Sequence, residues 1–276
     1  MESEAESVIP RPAAIVRLAA GVSALARRAA DIALPPQCLA CDRPVAAHGS
    51  LCPSCWSKLK LIERPYCARL GVPFTYELGE GALSAEAIAD PPPFDRCRAV
   101  AAFDDVARKL VHGLKYRDRL ELAAWMAGWM ARAGSEVVAE AGVVMPVPLH
   151  RRRLWWRRAN QSALLAKAIA EVAGRPFAPD ALLRIRATEQ QVGLTPDQRD
   201  RNVRGAFRVP ADRKIAVAGR RVLLVDDVYT TGATVTSVTK ALKKGGASAV
   251  DVLTFARVLP GDFGTGDFLP GGPDPI

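Results

Sequence analysis

Four cysteines near the start of the chain have the types and spacing of metal ligands. They form two pairs, Cys38-x2-Cys41 and Cys52-x2-Cys55, separated by ten residues. Each pair can wrap one edge of a tetrahedral ion on a tight turn, and the four thiolates then close the site. Redox chemistry needs only one such pair, and disulfides are rare in a reducing cytosol. The spacing therefore predicts one structural zinc in a small ribbon, because a site with four sulfurs has no open position.

Two carboxylates and a Thr/Gly loop form a second group near the other end of the chain. Asp226 and Asp227 follow an apolar run and precede the loop residues Thr230, Thr231, Gly232, Ala233 and Thr234. Ligands of open parallel sheets bind at the carboxyl ends of strands, and a loop at a helix N-terminus offers N–H groups and hydroxyls to an anion. We therefore expect a sugar phosphate, with its phosphate on the loop and its ribose diol on the aspartates. The alternative is an aspartate pair that only caps a helix.

The acid pair and its loop resemble the phosphoribosyl pyrophosphate signature of type I phosphoribosyltransferases, with Tyr229 where that family usually has an aliphatic residue. The resemblance implies that Asp226 and Asp227 contact the ribose hydroxyls of phosphoribosyl pyrophosphate, that residues 230–234 hold its 5′-phosphate, and that Mg²⁺ accompanies it. By the same analogy a pyrophosphate loop follows the strand that ends at Val147, with countercharge from His150, Arg151, Arg152 and Arg153. Residues 186–207 would form a mobile hood, with Arg199 and Arg204 as candidate phosphate contacts.

Motifs along most of the chain, taken together, resemble the ComF family. They occur in this order: Cys38 to Cys55, Leu114-Lys115-Tyr116, Pro146-Val-Pro148, Arg157-Arg-Ala-Asn160-Gln161, Arg186-Ala-Thr188 with Gln191 and Leu194, Arg199 with Asn202, Gly205-Ala-Phe207, and the aspartate motif. The chain departs from the family at Arg158 and Ala159, where Gly-Phe is usual. The resemblance implies a zinc ribbon joined to a phosphoribosyltransferase-like domain, and a link to DNA uptake in natural transformation.

The elements that must position these residues can be predicted from apolar patterning. Strands are expected at 98–103, 143–147, 221–225 and 250–255, and helices at 106–116, 120–133, 160–172 and 232–244, with Asn160 as an N-cap. Alternating strands and helices indicate an α/β class with a parallel, Rossmann-like sheet of the phosphoribosyltransferase type. The expected divisions are an amphipathic helix (1–34), a zinc ribbon (35–64), a linker (65–94), the sheet domain (95–258) and a disordered tail (259–276). No internal repeat is visible in the sequence.

Composition excludes several classes of protein. Of 276 residues, 49% are hydrophobic and 24% charged, which argues against disorder, a collagen-like repeat and a small disulfide-rich domain. No apolar run reaches the roughly 18 residues of a membrane span, and Glu2, Glu4 and Glu6 stand where a secretory signal would be basic. These features predict a cytoplasmic protein. Cys67 and Cys97 lack close partners and are expected to pack as free thiols.

The net charge of +9 lies entirely in the second half of the chain. Residues 150–220 alone carry 16 Lys and Arg against 6 Asp and Glu, which suits partners that bear phosphate. Within that range Arg151, Arg152, Arg153, Arg157 and Arg158 flank Trp155 and Trp156, and such interleaving of cations and indoles is typical of single-strand binding. The alternative for the charge is a basic face that is only solvated. The alternative for the two indoles is that they pack the loop onto the domain.

The sequence is compatible with three functions. We expect a ComF-type protein that binds phosphoribosyl pyrophosphate or a related nucleotide and handles incoming single-stranded DNA during competence, with other competence proteins as partners. The alternative is an active phosphoribosyltransferase of nucleotide metabolism, although no acceptor pocket has a recognisable signature. A ligand-sensing regulator ranks last because no operator-reading module is visible.

Overall fold

The computed structural model describes residues 35–116, 120–149, 160–186 and 196–259. The predicted N-terminal helix (1–34), the tail beyond residue 259 and the basic loop 150–159 lie outside these ranges. The chain divides into two compact units between Cys52 and Pro53. In the first unit the described residues form a tight turn around Cys38, closed by an antiparallel bridge between Gln37 and Pro44.

The second unit alternates helices and strands as the patterning predicts. Its elements are α1 (Pro53–Trp56), α2 (Ala85–Ala89), β1 (Arg96–Ala102), α3 (Asp105–Tyr116), α4 (Leu120–Ala133), α5 (Ser135–Ala139), β2 (Val143–Pro146), α6 (Gln161–Ala173), β3 (Leu183–Arg184), α7 (Pro196–Val203), β4 (Phe207–Arg208), a 3₁₀ helix (Ala211–Ala216), β5 (Arg221–Tyr229), α8 (Ala233–Lys244) and β6 (Ala249–Arg257). Each predicted strand and helix of the sheet domain is confirmed, with ends that shift by a few residues.

Four parallel strands form the main sheet in the order β1-β6-β5-β2. A separate antiparallel pair joins β3 to β4. The register places Pro146, the last residue of β2, opposite Val225. Strand β5 therefore continues beyond the end of its neighbour at Asp226, so the acid pair stands at the carboxyl edge of the sheet. The parallel α/β class predicted from the sequence is confirmed.

Alternate residues of the central strands bury two different faces of the sheet. On one face Val250 and Val252 of β6 pack in one cluster with Val238 and Leu242 of α8. On the other, the ring of Phe255 lies 6.1 Å from that of Trp125 in α4. Each fully buried side chain of this kind contributes about 1.5–3 kcal/mol. Helices on both faces explain why these strands read as continuous apolar runs.

A buried carboxylate links three strands at the other edge of the sheet. Asp251 of β6 has no exposed surface, and its Oδ2 accepts hydrogen bonds from Arg96 at 2.8 Å and Arg221 at 3.1 Å. Arg96 also forms an ion pair with Glu140 at 2.8 Å. These hydrogen bonds from the guanidinium to two carboxylates raise the pKa of Arg96. The pairing allows a charged group inside an otherwise apolar strand.

The two thiols outside the zinc cluster and the N-cap of α6 are as the sequence predicts. Cys67 and Cys97 are free and fully buried, as predicted. Asn160 caps α6, since its Oδ1 accepts a hydrogen bond from the N–H of Ser162 at 3.1 Å. Among the described residues, no helix has the length and apolarity needed to cross a bilayer.

Candidate functional site

The four predicted zinc ligands lie together. The sulfur atoms of Cys38, Cys41, Cys52 and Cys55 are within 4.8 Å of one another, and those of Cys41 and Cys52 are 3.6 Å apart. A zinc ion with Zn–S bonds of about 2.3 Å gives edges of roughly 3.8 Å in a tetrahedron of sulfurs. The cluster therefore has the donor set and the size of a structural zinc site.

The backbone of the turn prepares Cys38 to be a ligand. Burial raises the pKa of its thiol, but hydrogen bonds from backbone N–H groups, above all that of Cys52 at 3.2 Å, outweigh burial and lower the pKa to about 6. Asp42 adopts a left-handed φ of 59°, and its N–H donates to the carbonyl of Cys38 at 3.1 Å. This tight turn directs N–H groups at the sulfur and favours the thiolate that zinc requires.

The predicted ribose-binding acids stand at the end of β5, held by neighbouring groups. Oδ1 of Asp226 accepts a hydrogen bond from the hydroxyl of Ser162 at 2.7 Å and from the N–H of Asp227 at 3.0 Å. Ser162 is buried at the start of α6, so it fixes the carboxylate against the helix. Sequence reasoning did not single out Ser162. Its only signal is its position two residues after the N-cap Asn160.

The predicted phosphate loop leads into the N-terminus of α8, a helix of 12 residues. Gly232 is the N-cap with a left-handed φ of 78°, and Thr236 donates its N–H to the Gly232 carbonyl at 2.8 Å. The hydroxyl oxygen of Thr231 is buried and has no hydrogen-bond partner within the described part of the chain. A buried hydroxyl beside a helix N-terminus is suited to an anion that accepts its hydrogen bond.

Tyr229, the residue that departs from the signature, covers this loop. A Cβ atom at Gly232 would collide with the Tyr229 phenol, so the close approach requires glycine. The Tyr229 ring packs edge-on against Phe94 with centroids 6.2 Å apart, and Arg257 lies on it. Burial raises the pKa of the Tyr229 hydroxyl, which therefore stays protonated. The tyrosine thus forms a wall behind the loop, with its hydroxyl oxygen nearest to Gly232.

The predicted pyrophosphate and DNA contacts, His150 to Arg158, lie outside the described residues. The chain is described up to Leu149 and again from Asn160, and hydrogen bonds join both sides to the carboxyl edge of the sheet. The N–H of Val147 donates to the carbonyl of Val225 at 2.9 Å, and Nδ2 of Asn160 donates to the carbonyl of Val147 at 3.1 Å. The basic segment therefore leaves and rejoins the described chain at the carboxyl edge of the sheet, next to Asp226.

Part of the predicted hood is described and is held by Arg186. The guanidinium donates to the carbonyls of Asn202 at 2.9 Å and Arg204 at 2.8 Å. Of the two predicted phosphate contacts, Arg204 lines a basic groove, and the side chain of Arg199 is outside the described set. The described hood residues therefore connect β3 with the chain between α7 and β4.

A basic groove of about 830 Å³ runs between β4, the 3₁₀ helix and the flank of α8. Its cationic lining residues are Arg204, Arg208, Lys214, Lys240 and Lys244. One lining carboxylate, Asp212, lies 3.8 Å from the guanidinium of Arg213. The sequence indicated a basic second half, but only the fold brings residues from three elements to one groove.

Comparisons with known proteins give family matches for two parts of the chain. The double zinc ribbon domain family matches residues 29–89, and the phosphoribosyl transferase domain family matches residues 159–261. The chain is 31% identical to DNA utilization protein YhgH of Escherichia coli K12 over 83% of its own length and all of that protein. It is 28% identical to Competence protein F of Haemophilus influenzae, over 76% of this chain and 92% of that one. Competence protein ComFC of Bacillus subtilis is 27% identical over 75% and 84%.

Proposed function

The chain belongs to the ComF family, and from that premise we propose that it binds phosphoribosyl pyrophosphate or a related nucleotide and acts on incoming single-stranded DNA. The ligand lies at the junction of β5 and α8. Asp226 and Asp227 hold its ribose hydroxyls, and residues 230–234 hold its phosphate. A Mg²⁺ ion accompanies the pyrophosphate, and His150 with Arg151, Arg152 and Arg153 supplies countercharge from the adjacent loop.

The observation that supports this proposal most is the buried hydroxyl of Thr231. An unpaired buried hydroxyl costs about 1–3 kcal/mol, so its position beside the N-terminus of α8 favours a ligand that accepts its hydrogen bond. The match of residues 159–261 to the phosphoribosyl transferase domain family supports the same site independently. Asp226, fixed by Ser162, is oriented before the ligand arrives, which lowers the entropy cost of binding.

Thermal unfolding in the presence of Mg²⁺ and phosphoribosyl pyrophosphate tests the site. A ligand at 100 times its Kd stabilises the folded chain by about 2.7 kcal/mol, which raises Tm by several degrees. The double variant Asp226→Asn/Asp227→Asn should remove the shift, because neutral amides bind a ribose diol and its Mg²⁺ less well. Asp180→Asn, at an exposed position, is the matched control and should keep the full shift. An unchanged shift in the double variant would place the ligand elsewhere.

The DNA part of the proposal rests on charge and on the named relatives. Relatives are named for DNA utilization and competence, and this chain carries both the basic groove and the basic segment 150–158. A groove with five cations and one paired carboxylate suits a phosphate backbone, which a single strand can lay along it without base recognition. We place the encounter with DNA in the cytoplasm.

Transfer of the bound phosphoribosyl group is the second candidate function. It is favoured by the match to the phosphoribosyl transferase domain family. Incubation of the pure protein with Mg²⁺, phosphoribosyl pyrophosphate and each common nucleobase would reveal it as release of pyrophosphate that depends on the base. Release that persists in Asp226→Asn/Asp227→Asn would come from a contaminant.

A further inference from the structure

The turn that begins at Cys67 has the same backbone hydrogen bonds as the turn that begins at Cys38. Three hydrogen bonds of the first turn recur 29 residues later in the second. In the first turn they run from Cys38 N–H to Arg43 O (2.7 Å), from Asp42 N–H to Cys38 O (3.1 Å) and from Val45 N–H to Pro36 O (2.8 Å). In the second turn the matching bonds run, in the same order, from Cys67 N–H to Val72 O, from Gly71 N–H to Cys67 O and from Phe74 N–H to Pro65 O, each at 2.8 Å. The residues at the left-handed position correspond too, with φ of 59° at Asp42 and 65° at Gly71.

The segments that follow the two turns also correspond, now 32 residues apart. The N–H of Cys52 donates to the sulfur of Cys38 at 3.2 Å, and the N–H of Ser84 donates to the sulfur of Cys67 at 3.3 Å. Both donors stand immediately before a short helix, α1 or α2. The third residue of each helix then matches as well, which pairs Cys55 with Ala87.

This correspondence assigns four ligand positions to the second turn, and only one of them holds a ligand. The positions of Cys38, Cys41, Cys52 and Cys55 are filled by Cys67, Leu70, Ser84 and Ala87. Zinc in a structural site takes four sulfur or nitrogen donors, and leucine and alanine offer none. The hydroxyl of Ser84 instead accepts the capping hydrogen bond from the N–H of Ala87 at 3.4 Å. The residues therefore do not fit the second metal that a double zinc ribbon implies.

Apolar packing fills the place of the metal. Leu70 and Ala87 are 4% and 2% exposed, and with Cys67 and Phe94 they join the cluster that contains the strand residues of the main sheet. A zinc ribbon needs its metal because so short a segment cannot bury enough apolar surface alone. Here the second ribbon shares the core of the larger domain, so that requirement no longer applies.

Two buried arginines hold the carbonyl groups of the turn. Nη1 of Arg98 donates to the carbonyl of Ala68 at 3.0 Å, and Nη1 of Arg257 donates to the carbonyl of Leu70. The N–H of Cys97 donates to the carbonyl of Arg69 at 2.7 Å, which attaches the turn to β1. These bonds come from β1 and β6, so the sheet itself fixes the geometry of the turn.

We propose that residues 65–89 are a second zinc ribbon that has lost its metal site and is held instead by the sheet core and by Arg98 and Arg257. The chain therefore binds one zinc ion and not two. Because Arg257 also lies on Tyr229, the ribbon without metal supports the wall behind the Gly232 loop, and this support does not depend on zinc.

Zinc content of the full chain, purified without chelator, tests the first part. We expect one zinc per chain, none in Cys41→Ser, and one in Cys67→Ala, whose thiol lies at the only remaining ligand position. Two zinc ions in the wild type, or a lower zinc content in Cys67→Ala, would overturn the proposal.

Amide hydrogen exchange after zinc removal tests the second part, since residues 67–74 should stay protected while residues 38–45 lose protection. Loss of protection in both turns together would contradict it.

Restoring the ligands is a positive test of the geometry. The triple variant Leu70→Cys/Ser84→Cys/Ala87→Cys should bind a second zinc, and with Co²⁺ its thiolate absorption should double relative to the wild type. Leu70→Cys alone is the matched control and should stay at one ion. A triple variant that is folded and keeps the first zinc but takes no second one would refute the assignment of ligand positions. If the triple variant does not fold, the exchange experiment on the wild-type chain decides.

Discussion

The guanidinium carbon of Arg257 lies 4.8 Å from the centre of the Tyr229 ring. Arg257 also donates a hydrogen bond to the carbonyl of Leu70, and Tyr229 packs over Gly232. A continuous path of contacts therefore runs from the second ribbon, through the end of β6, to the loop proposed to hold phosphate. Because Leu70 and Arg257 are buried and Tyr229 packs against Phe94, we expect these contacts to restrict the conformations of the loop.

Gly232→Ala should abolish binding of phosphoribosyl pyrophosphate while the chain remains folded. The added methyl group meets the Tyr229 phenol, and alanine at a φ of 78° costs about 1–2 kcal/mol in backbone strain. The measurement is the ligand-induced shift of Tm. Gly79→Ala is the matched control, because Gly79 has a φ of 90° and open space around it.

The same substitution in a Tyr229→Ala background separates the collision from the strain. Removal of the phenol relieves the collision, so Gly232→Ala/Tyr229→Ala should bind more tightly than Gly232→Ala alone. Equal affinities would mean that backbone strain alone is responsible and that Tyr229 does not shape the loop.

Thr231→Val should weaken ligand binding by about 10-fold to 150-fold, the loss expected for a hydrogen bond to a charged group of about 1.5–3 kcal/mol. Unfolding free energy without ligand should stay the same or rise, because valine has the shape of threonine and removes a buried hydroxyl that lacks a partner among the described residues. Urea unfolding and calorimetric titration measure the two quantities. A fall in stability together with unchanged affinity would show that the hydroxyl serves the fold.

The sheet, its helices and the first cysteine cluster could be predicted from the sequence because each depends on local patterns. Apolar β-branched runs such as residues 221–225 indicate buried strands, and paired cysteines indicate a shared ion. The end of the apolar run at Val225 indicated that Asp226 and Asp227 lie at the carboxyl edge of the sheet, although β5 itself continues to Tyr229.

The second ribbon could not be recognised because its signal was lost with its ligands. Leu70, Ser84 and Ala87 carry no thiol, so the paired-cysteine spacing is absent, and the pattern is preserved in the backbone hydrogen bonds and in the left-handed φ of Gly71. The basic groove was missed for a different reason. Its cations come from separate elements of the chain, and only tertiary folding makes Arg208 and Lys244 line the same groove. Ser162 is similar, since its partner Asp226 lies 64 residues away.

Acid should destabilise the fold in part through Glu136. Burial raises the pKa of this carboxyl, but the hydrogen bond that it accepts from Nε of Arg98 at 2.6 Å, a hydrogen bond from its own backbone N–H and the charges of Arg98 and Arg64 together outweigh burial, so the net pKa is lowered. A carboxyl with a lowered pKa in the folded state stabilises the fold above its unfolded pKa, and that stability is lost as pH falls through the folded value. Urea midpoints between pH 6 and pH 3 should therefore fall more steeply in the wild type than in Glu136→Gln. Glu171→Gln, at an exposed position, should follow the wild type.

Binding of single-stranded oligonucleotides should depend on salt, and two regions of the chain can be separated by that dependence. Each phosphate neutralised on a single strand contributes about −0.7 to the slope of log affinity against log salt. Lys240→Ala/Lys244→Ala removes two cations of the groove and should make the slope shallower by about 1.4 if both contact phosphate. Lys167→Ala, which removes an exposed cation of α6 outside the groove lining, is the control.

The basic segment 150–158 is expected to act in the same assay through both its charges and its indoles. Alanine at Arg151, Arg152 and Arg153 should make the slope shallower by about 2.1, whereas Trp155→Ala and Trp156→Ala should each weaken binding by about 1–3 kcal/mol with little change in slope, because stacking involves no counterions. Asp226→Asn/Asp227→Asn should leave DNA affinity unchanged. If neither the lysine pair nor the arginine triple changes affinity or slope, then the groove is a solvated face, the segment serves only the pyrophosphate, and the transferase function is favoured.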